Sequence, residues 1–530
     1  MSSEHKAQDA LRKSSIASVT ALIGLQLFSR LFTFILNQAL VRLTSPEIFG
    51  AAAIQFDLIL STILFLSREG VRTTILRAKS HGPKELNLSF LPIAAGVPLA
   101  GTIAWAYVKY AGEELKTRAF FREAVGIYAL AAVVELLTEP FHNLSMVQLK
   151  TNVRVKAEGS GITAKSVVTF LVLLYDSRKV DGQGKLALLA FALGQLAYSF
   201  ACLAVYLGYL GVNTLRPRIS DKDTGLVDSR LLRLSATMTL QSIVKHVLTE
   251  GDKLILSWFS PLQDQGGYAL AVNYGSLIAR IVFQPIEEVM RLYFSKTFAQ
   301  GTKAKSAVRD AASALTSLVS VQLELSMFFL AFGTAYLPVL LPILLPPRYM
   351  ATSAPQILAA WIWYIPVLAV NGGLEGFVAS VAGPGELNRQ SKWMVAFSVV
   401  FIASAISLYR LGFGDASLVY ANIVNLLARI VFATSFTKSF FPSQGPESII
   451  SIRRALPSLS LVLVSLAMRG IITYDSKRRN VKMIVGAEGR RSLLNIDVVQ
   501  HVGLGSALAA VWLSYWWMSS GRKRNLRPRS

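Results

Sequence analysis

The sequence predicts an all-α polytopic membrane protein with about 14 transmembrane helices. Of its 530 residues, 53% are hydrophobic and only 16% are charged, whereas a soluble protein has about 25% charged residues. The mean hydropathy is +0.46. Apolar runs long enough to cross a bilayer, about 20 residues of helix, recur along nearly the whole chain. We therefore expect most of the chain to lie in the membrane.

Basic residues outnumber acidic ones, with 54 Lys and Arg against 31 Asp and Glu. Because no separate soluble basic domain is visible, we interpret this excess as basic loops facing an anionic membrane leaflet and not as nucleic-acid binding. The single cysteine, Cys202, lies in an apolar run. The five histidines are scattered, with no HExxH pattern. We therefore predict no disulfide, no metal site and no cofactor.

Hydropathy and the polar turns between apolar runs predict the transmembrane helices in order. The seventh and eighth lie within Gln241–Glu288, on either side of the turn Ser260–Gly267. The other twelve are predicted at about 16–40, 48–67, 88–110, 124–147, 159–176, 185–210, 314–345, 354–381, 393–411, 415–437, 455–473 and 502–519.

The longest polar linker in the first two-thirds of the chain separates two predicted halves. A faint repeat, Ser45–Ala51 against Ser260–Tyr268, has the offset that two six-span halves would give. The predicted organisation is a cytoplasmic N-terminus (1–14), an N-terminal bundle (15–211), a cytoplasmic linker (212–233), a C-terminal bundle (234–440), and two extra transmembrane helices (441–530) with a hydrophilic loop at 474–498 and a basic tail.

Charge in the loops predicts the orientation of the chain. Fourteen spans place both termini on one side, together with the basic linker 212–233 and the loops 68–84 and 291–309. Cytoplasmic loops carry the excess of Lys and Arg, so both termini are expected in the cytoplasm. The segments 109–122 and 474–498 depart from this pattern.

The stretch Gln241–Glu288 carries charges inside its two apolar segments. Such a charge costs at least about 2.5–3.5 kcal/mol at bilayer depth, so it should face another charge or water. Lys245 and Lys253 follow i, i+4 spacing with Thr249 and Ser257 and share one helical face, and Glu250 can pair with Lys253. This polar seam is interpreted as a substrate pathway. The alternative is a paired structural network, or helix ends at the membrane interface.

Two rival functional classes are less well supported by the sequence. A membrane glycosyltransferase needs carboxylates, often paired, in a non-cytoplasmic loop, but the candidate loops offer only Glu47 and Asp264. An exporter of cationic drugs needs a cavity with carboxylates and few bases. The predicted intramembrane charges are instead mixed and include several strong bases: Arg30, Arg68, Glu69, Arg72, Lys156, Glu158, Lys245, Glu250, Asp252, Lys253, Arg280 and Glu287.

Guanidinium groups bind phosphate oxygens bidentately, so this set suits a large anionic headgroup such as a lipid pyrophosphate. Any of these arginines could equally pair with a nearby carboxylate, as Arg68 with Glu69 or Arg280 with Glu287. No nucleotide-binding motif is present in the sequence.

The most distinctive stretches of the chain are Ser29–Arg42, Ser61–Arg72, Val134–Gly159, Lys245–Glu288 and Ala369–Phe377. The fourth of them contains the motifs LTEGDK and FQPIEE. These stretches resemble the eukaryotic Rft family of dolichol-linked oligosaccharide translocation proteins, and the likeness covers roughly residues 15–435.

The resemblance implies the fold of the multidrug/oligosaccharidyl-lipid/polysaccharide exporters (MATE/MOP-like), with two six-helix bundles around a central cavity. It implies a flippase, not an enzyme, that moves Man5GlcNAc2-PP-dolichol from the cytosolic to the luminal leaflet of the endoplasmic reticulum membrane for protein N-glycosylation. Its partners would be this glycolipid and the surrounding lipids. The alternative is a non-translocating accessory or chaperone protein of the same pathway.

The resemblance also implies a set of substrate-binding positions. We predict that five of them hold the pyrophosphate, namely Arg30, Arg68, Arg72, Lys245 and Arg280. Four others are predicted to balance these charges and to gate the two halves, namely Glu69, Glu158, Glu250 and Asp252. The set is Arg30, Arg42, Arg68, Glu69, Arg72, Lys156, Glu158, Lys245, Glu250, Asp252, Arg280 and Glu287.

Overall fold

The computed structural model describes residues 35–77, 82–148, 150–179, 184–217, 228–299, 305–443 and 455–521. Within these ranges the secondary structure is helical, without β-strands. Twelve of the described helices are long and apolar enough to cross a membrane. The protein is therefore a multi-pass, all-α membrane protein, as the sequence predicted. The chain divides into two compact units, Met1–Ala269 and Leu270–Ser530.

The first unit begins, after helical residues 35–43, with five long apolar helices and continues with two shorter ones. The five are α1 (Pro46–Leu76), α2 (Pro83–Tyr110), α3 (Phe121–Val147), α4 (Asn152–Arg178) and α5 (Ala187–Leu210). The two that follow are α6 (Ser229–Thr249) and α7 (Gly251–Phe259).

The boundary between the units falls within α8 (Leu262–Phe298), and the remaining long helices belong to the second unit. They are α9 (Val308–Leu344), α10 (Ala354–Val381), α11 (Gly385–Phe413), α12 (Ala416–Phe441), α13 (Leu459–Arg478) and α15 (Ile496–Ser519). The short helix α14 (Val481–Glu488) connects the last two.

Two of the fourteen predicted spans are not among these twelve. The first lies mostly outside the described residues. The seventh was predicted as one continuous helix, and this is wrong, because the chain breaks at Glu250 (φ −96°, ψ 11°) into α6 and α7. The break interrupts the i, i+4 row that was expected from Lys245 to Ser257. The count of about 14 spans stays a prediction.

Helix α1 is central to the packing of the first unit, where it contacts α2, α3 and α6. It begins at Pro46, whose restricted φ suits a first helical turn. A π-helical turn, Ala51–Phe56, precedes Asp57. At Gly70 the approach of α6 is very close, because a Cβ there would stand 2.2 Å from Thr239 Oγ1. Within the same unit α5 packs against both α3 and α4.

The second unit has one aromatic core on α8–α10 and α12 and another in its C-terminal hairpin, which α13 and α15 form. Phe377 is fully buried and stacks on Phe441 at 5.2 Å between ring centroids. In the C-terminal hairpin Trp512 is fully buried, and its indole N–H donates to Ser465 Oγ at 2.8 Å. The predicted loop at 474–498 contains α14, whose Val481 and Val485 pack against Val339.

Candidate functional site

Four helices of the first unit enclose a polar cavity of about 360 Å³. Helix α1 contributes eight of the lining side chains, mostly three or four residues apart and therefore on one face. The lining residues are Asp57, Leu60, Ser61, Leu64, Phe65, Arg68, Glu69, Arg72, Glu135, Ile162, Lys165, Gln195 and Tyr198. Three carboxylates and three cations are among them, so the cavity has mixed charge.

Two arginines on α1 pair with two glutamates on α3. Arg68 Nη1 lies 2.8 Å from Glu135 Oε1 and 3.6 Å from Glu139 Oε1. The guanidinium of Arg72 is bidentate, since Nε donates to Glu139 Oε2 at 2.8 Å and Nη2 to Glu139 Oε1 at 2.6 Å. The Glu139 side chain is 0% exposed. These four groups form a charged ladder, between two apolar helices, that holds α1 against α3.

In the ladder each charged group between the apolar helices has a partner of opposite charge. A buried carboxylate without a partner is costly, whereas a bidentate Arg–carboxylate pair has two charge-assisted hydrogen bonds in good geometry. Arg68 and Arg72 are spaced i, i+4, and so are Glu135 and Glu139. The two pairs therefore match along facing helices.

A second charged cluster connects α7 to α1. Lys253 Nζ lies 2.7 Å from Asp57 Oδ2 and 2.7 Å from Glu250 Oε2, and the Glu250–Lys253 pair is the one that the spacing predicted. Asp252 accepts a hydrogen bond from Tyr268 at 3.3 Å. His246 on α6 is buried and lies 2.9 Å, ring Nε2 to Oγ1, from Thr62 on α1. Glu250, Asp252 and Lys253 of the predicted seam are thus bonded within the first unit.

On the far side of the cavity, α4 and α5 contribute a lysine and an amide. Lys165 Nζ donates to Gln195 Oε1 at 2.7 Å. Both residues line the cavity with Tyr198. Neither was selected from the sequence.

The second unit contains its own ion pair, which is half-buried. Arg429 on α12 donates to Glu375 on α10 through Nε at 2.7 Å and Nη2 at 2.5 Å. Asn371 Nδ2 donates to the same carboxylate at 3.1 Å. The carboxylate of Glu287 on α8 packs against Gly372, where a Cβ would stand 1.7 Å from Oε1. A pair of polar helix–helix contacts therefore connects α10 with α8 and α12.

The structure brings some of the predicted site residues together and places others elsewhere. Arg68, Glu69 and Arg72 line the cavity. Lys156 is exposed on α4 and donates to Tyr209 at 2.8 Å. Glu158 pairs with Arg154 at 2.7 Å.

Besides Glu250, Asp252 and Glu287, which are described above, four predicted positions remain. Arg280 Nη2 donates to the carbonyl oxygen and Oδ1 of Asn273 within its own helix, each at 2.8 Å. Arg42 is exposed at the end of helical residues 35–43. Arg30 and the side chain of Lys245 lie outside the described residues.

Among the residues that are described, no group of His, Cys, Asp and Glu could hold a metal ion.

Four charged residues that form ion pairs in the structure were not among the site residues predicted from the sequence. Glu135, Glu139, Glu375 and Arg429 all lie within apolar runs, which is the signal that selected the other charges. Glu135–Glu139 and Arg68–Arg72 share the i, i+4 spacing that a ladder needs, but the spacing does not indicate that the two helices are neighbours. No local pattern indicates that Lys165 meets Gln195, because the two are 30 residues apart.

Residues 14–520 match the family model described as Rft protein. The chain is 34% identical over 493 residues to the Man(5)GlcNAc(2)-PP-dolichol translocation protein RFT1 of Yarrowia lipolytica, a match that covers 83% of this chain and 72% of that one. It is 31% identical over 469 residues to the protein of the same name in Eremothecium gossypii, covering 82% of this chain and 84% of that one.

Two solved structures share the fold. The lipid II flippase MurJ, in an inward closed conformation, superposes with a TM-score of 0.59 at 12% identity, covering 94% of this chain and 99% of MurJ. An inward-facing multidrug resistance MATE family transporter of the MOP superfamily gives a TM-score of 0.52 at 13% identity, covering 78% and 95% of the two chains. The expected MATE/MOP-like fold is confirmed.

Proposed function

We propose that this chain, which belongs to the Rft protein family, is a flippase that moves Man5GlcNAc2-PP-dolichol from the cytosolic to the luminal leaflet of the endoplasmic reticulum membrane. The names of its relatives support the substrate. The fold supports a transporter, not an enzyme. The observation that carries the proposal is the charged cavity within the apolar helices of the first unit.

The cavity suits the polar end of such a lipid. Sugars and pyrophosphate cannot cross about 30 Å of hydrocarbon without polar partners. The cavity offers cations, carboxylates, two hydroxyls and an amide among apolar helices. Its volume of about 360 Å³ is at the lower end of the 300–1,000 Å³ that is typical of small-ligand pockets. In this proposal it holds the pyrophosphate end of the headgroup while the polyprenyl tail stays in lipid.

The twelve substrate-binding residues predicted from the sequence stay a prediction, and of these Arg68, Glu69 and Arg72 line the cavity. The basic loops support cytoplasmic termini. Their charge also favours the proposed location in a membrane whose cytosolic leaflet is anionic.

The test is a translocation assay in sealed proteoliposomes. Purified protein is reconstituted with labelled Man5GlcNAc2-PP-dolichol, and inner-leaflet glycolipid is followed as it becomes accessible to an external glycan-binding probe. A Ser61→Trp variant fills the cavity without removing any ion pair of the ladder. Thr163→Trp, at an exposed position of α4 that does not line the cavity, is the matched control.

We expect wild type and Thr163→Trp to accelerate exposure of the glycolipid relative to empty liposomes, and Ser61→Trp to lose most of that acceleration. If wild type and empty liposomes give the same rate while the protein still binds the glycolipid, the flippase proposal fails and the accessory function replaces it. If Ser61→Trp is as fast as wild type, the cavity is not the path.

A further inference from the structure

Lys165 occupies the centre of a membrane-spanning helix. It is 13 residues from both Asn152 and Arg178, the ends of α4, and each half of the helix is therefore about 20 Å long at 1.5 Å per residue. This places its ammonium group close to the bilayer midplane, where an uncompensated charge is most costly. It is directed into the cavity, which it lines with Gln195.

Three other cations among the described residues of the first unit, in and beside the cavity, have carboxylate partners. Arg68 and Arg72 pair with Glu135 and Glu139. Lys253 pairs with Asp57 and Glu250.

Lys165 differs from them in the charge of its partner. Its hydrogen bond, across the part of the chain that the structure describes, goes to the neutral amide oxygen of Gln195 at 2.7 Å. An ammonium group has three donors, so two remain for a ligand. The cavity thus contains one lysine with donors left for an incoming anion, while the carboxylates of Asp57 and Glu135 act on its charge from a distance.

We propose that Lys165, oriented by Gln195, is the residue that contacts the phosphate of the transported lipid, and that Arg68 and Arg72 instead hold α1 to α3. The inference rests on the proposed function and assigns the ligand of the cavity as an organic pyrophosphate. Lysine binds phosphate as a point charge. A phosphate bound there gains a partner without displacing a buried carboxylate, whereas binding to Arg72 would strip Glu139 of its hydrogen bonds.

Binding in detergent solution tests the anion site separately from translocation. Farnesyl pyrophosphate serves as a short lipid pyrophosphate, farnesol as its phosphate-free counterpart, and inorganic pyrophosphate as the soluble anion. Lys165→Met removes the charge, and Lys165→Arg keeps it. Lys179→Met removes an equal charge from an exposed position just beyond the end of α4 and is the matched control.

We expect Lys165→Met to weaken binding of farnesyl pyrophosphate about 10- to 100-fold, as loss of a charge-assisted hydrogen bond does. Farnesol binding is expected to stay unchanged, Lys165→Arg to remain within several-fold of wild type, and Lys179→Met to match wild type. Equal affinity of wild type and Lys165→Met would overturn the inference, and so would an equal loss for farnesol. Inorganic pyrophosphate binding as tightly as farnesyl pyrophosphate would overturn the assignment to a lipid.

The same variants in the proteoliposome assay separate this inference from the proposed function. If wild type and Lys165→Met translocate at the same rate, the role of Lys165 falls and the flippase stands. If wild type does not translocate but binds farnesyl pyrophosphate through Lys165, the anion site stands and the flippase falls.

Discussion

In the ladder between α1 and α3, we predict that loss of Arg72 destabilises the protein more than loss of its partner Glu139. Replacing Arg72 by Met leaves the carboxylate of Glu139, which is 0% exposed, with Arg68 at 3.6 Å as its remaining cation. Replacing Glu139 by Gln instead leaves Arg72, which is 21% exposed and lines the cavity. An unpaired arginine there can be solvated by water in the cavity, whereas an unpaired Glu139 cannot. Arg72→Met is therefore expected to be the more damaging change.

The magnitude follows from the two hydrogen bonds between Arg72 and Glu139. At about 1.5–3 kcal/mol for each bond to a charged group, they amount to about 3–6 kcal/mol. Removing one partner of a buried ion pair costs a similar 3–5 kcal/mol, roughly. The double variant Arg72→Met/Glu139→Gln removes both charges together, so it should be more stable than Arg72→Met alone.

The assay is thermal unfolding of the purified protein in one detergent, followed by tryptophan fluorescence. Arg154→Met is the control, because it breaks the Arg154–Glu158 pair, whose side chains are 41% and 45% exposed and whose contribution should be below about 1 kcal/mol. The expected order of midpoints, from high to low, is wild type and Arg154→Met, then Glu139→Gln, then Arg72→Met. The reasoning is refuted if Arg72→Met unfolds with the control, or if the double variant unfolds below both single variants.

Two further predictions concern packing and use the same measurement. Gly70→Ala should lower the unfolding midpoint, because the new Cβ would stand 2.2 Å from Thr239 Oγ1 and 2.6 Å from its backbone nitrogen and overpacking costs about 1–3 kcal/mol; Gly126→Ala, with no atom within 4 Å of the new Cβ, should not, and equal midpoints would contradict the close helix contact. Trp512→Ala should destabilise by about 3–5 kcal/mol, since this side chain is fully buried, whereas Trp517→Ala, at a position 59% exposed, should have a much smaller effect, and the reverse order would contradict the described core.

The membrane character and fold class of this protein could be predicted from composition and hydropathy alone. A helix that crosses a bilayer must satisfy its own backbone hydrogen bonds and present apolar side chains over about 20 residues, and both requirements are local. The local sequence also shows that charges such as Arg68 and Arg72 lie within an apolar run and therefore require a polar environment. It also predicted the Glu250–Lys253 pair, which lies within one turn.

The partners of those charges could not be predicted in this way. Glu69 is next to Arg68 in sequence, but neighbouring residues on a helix point about 100° apart and do not face each other. The structure instead pairs Arg68 with Glu135, which is 67 residues away. Similarly, the break at Glu250 separates α6 from α7, where hydropathy alone predicted a single helix.

The sequence by itself therefore determined that the protein consists of apolar helices and that the polar groups within them require hydrogen-bond or ion-pair partners. The tertiary structure decided which partners they have, by packing α1 against α3 and α4 against α5. In this packing Arg72 binds a carboxylate and Lys165 binds an amide. The physical reason is that burial follows from the chemistry of each residue, whereas pairing depends on distances between helices that are remote in sequence.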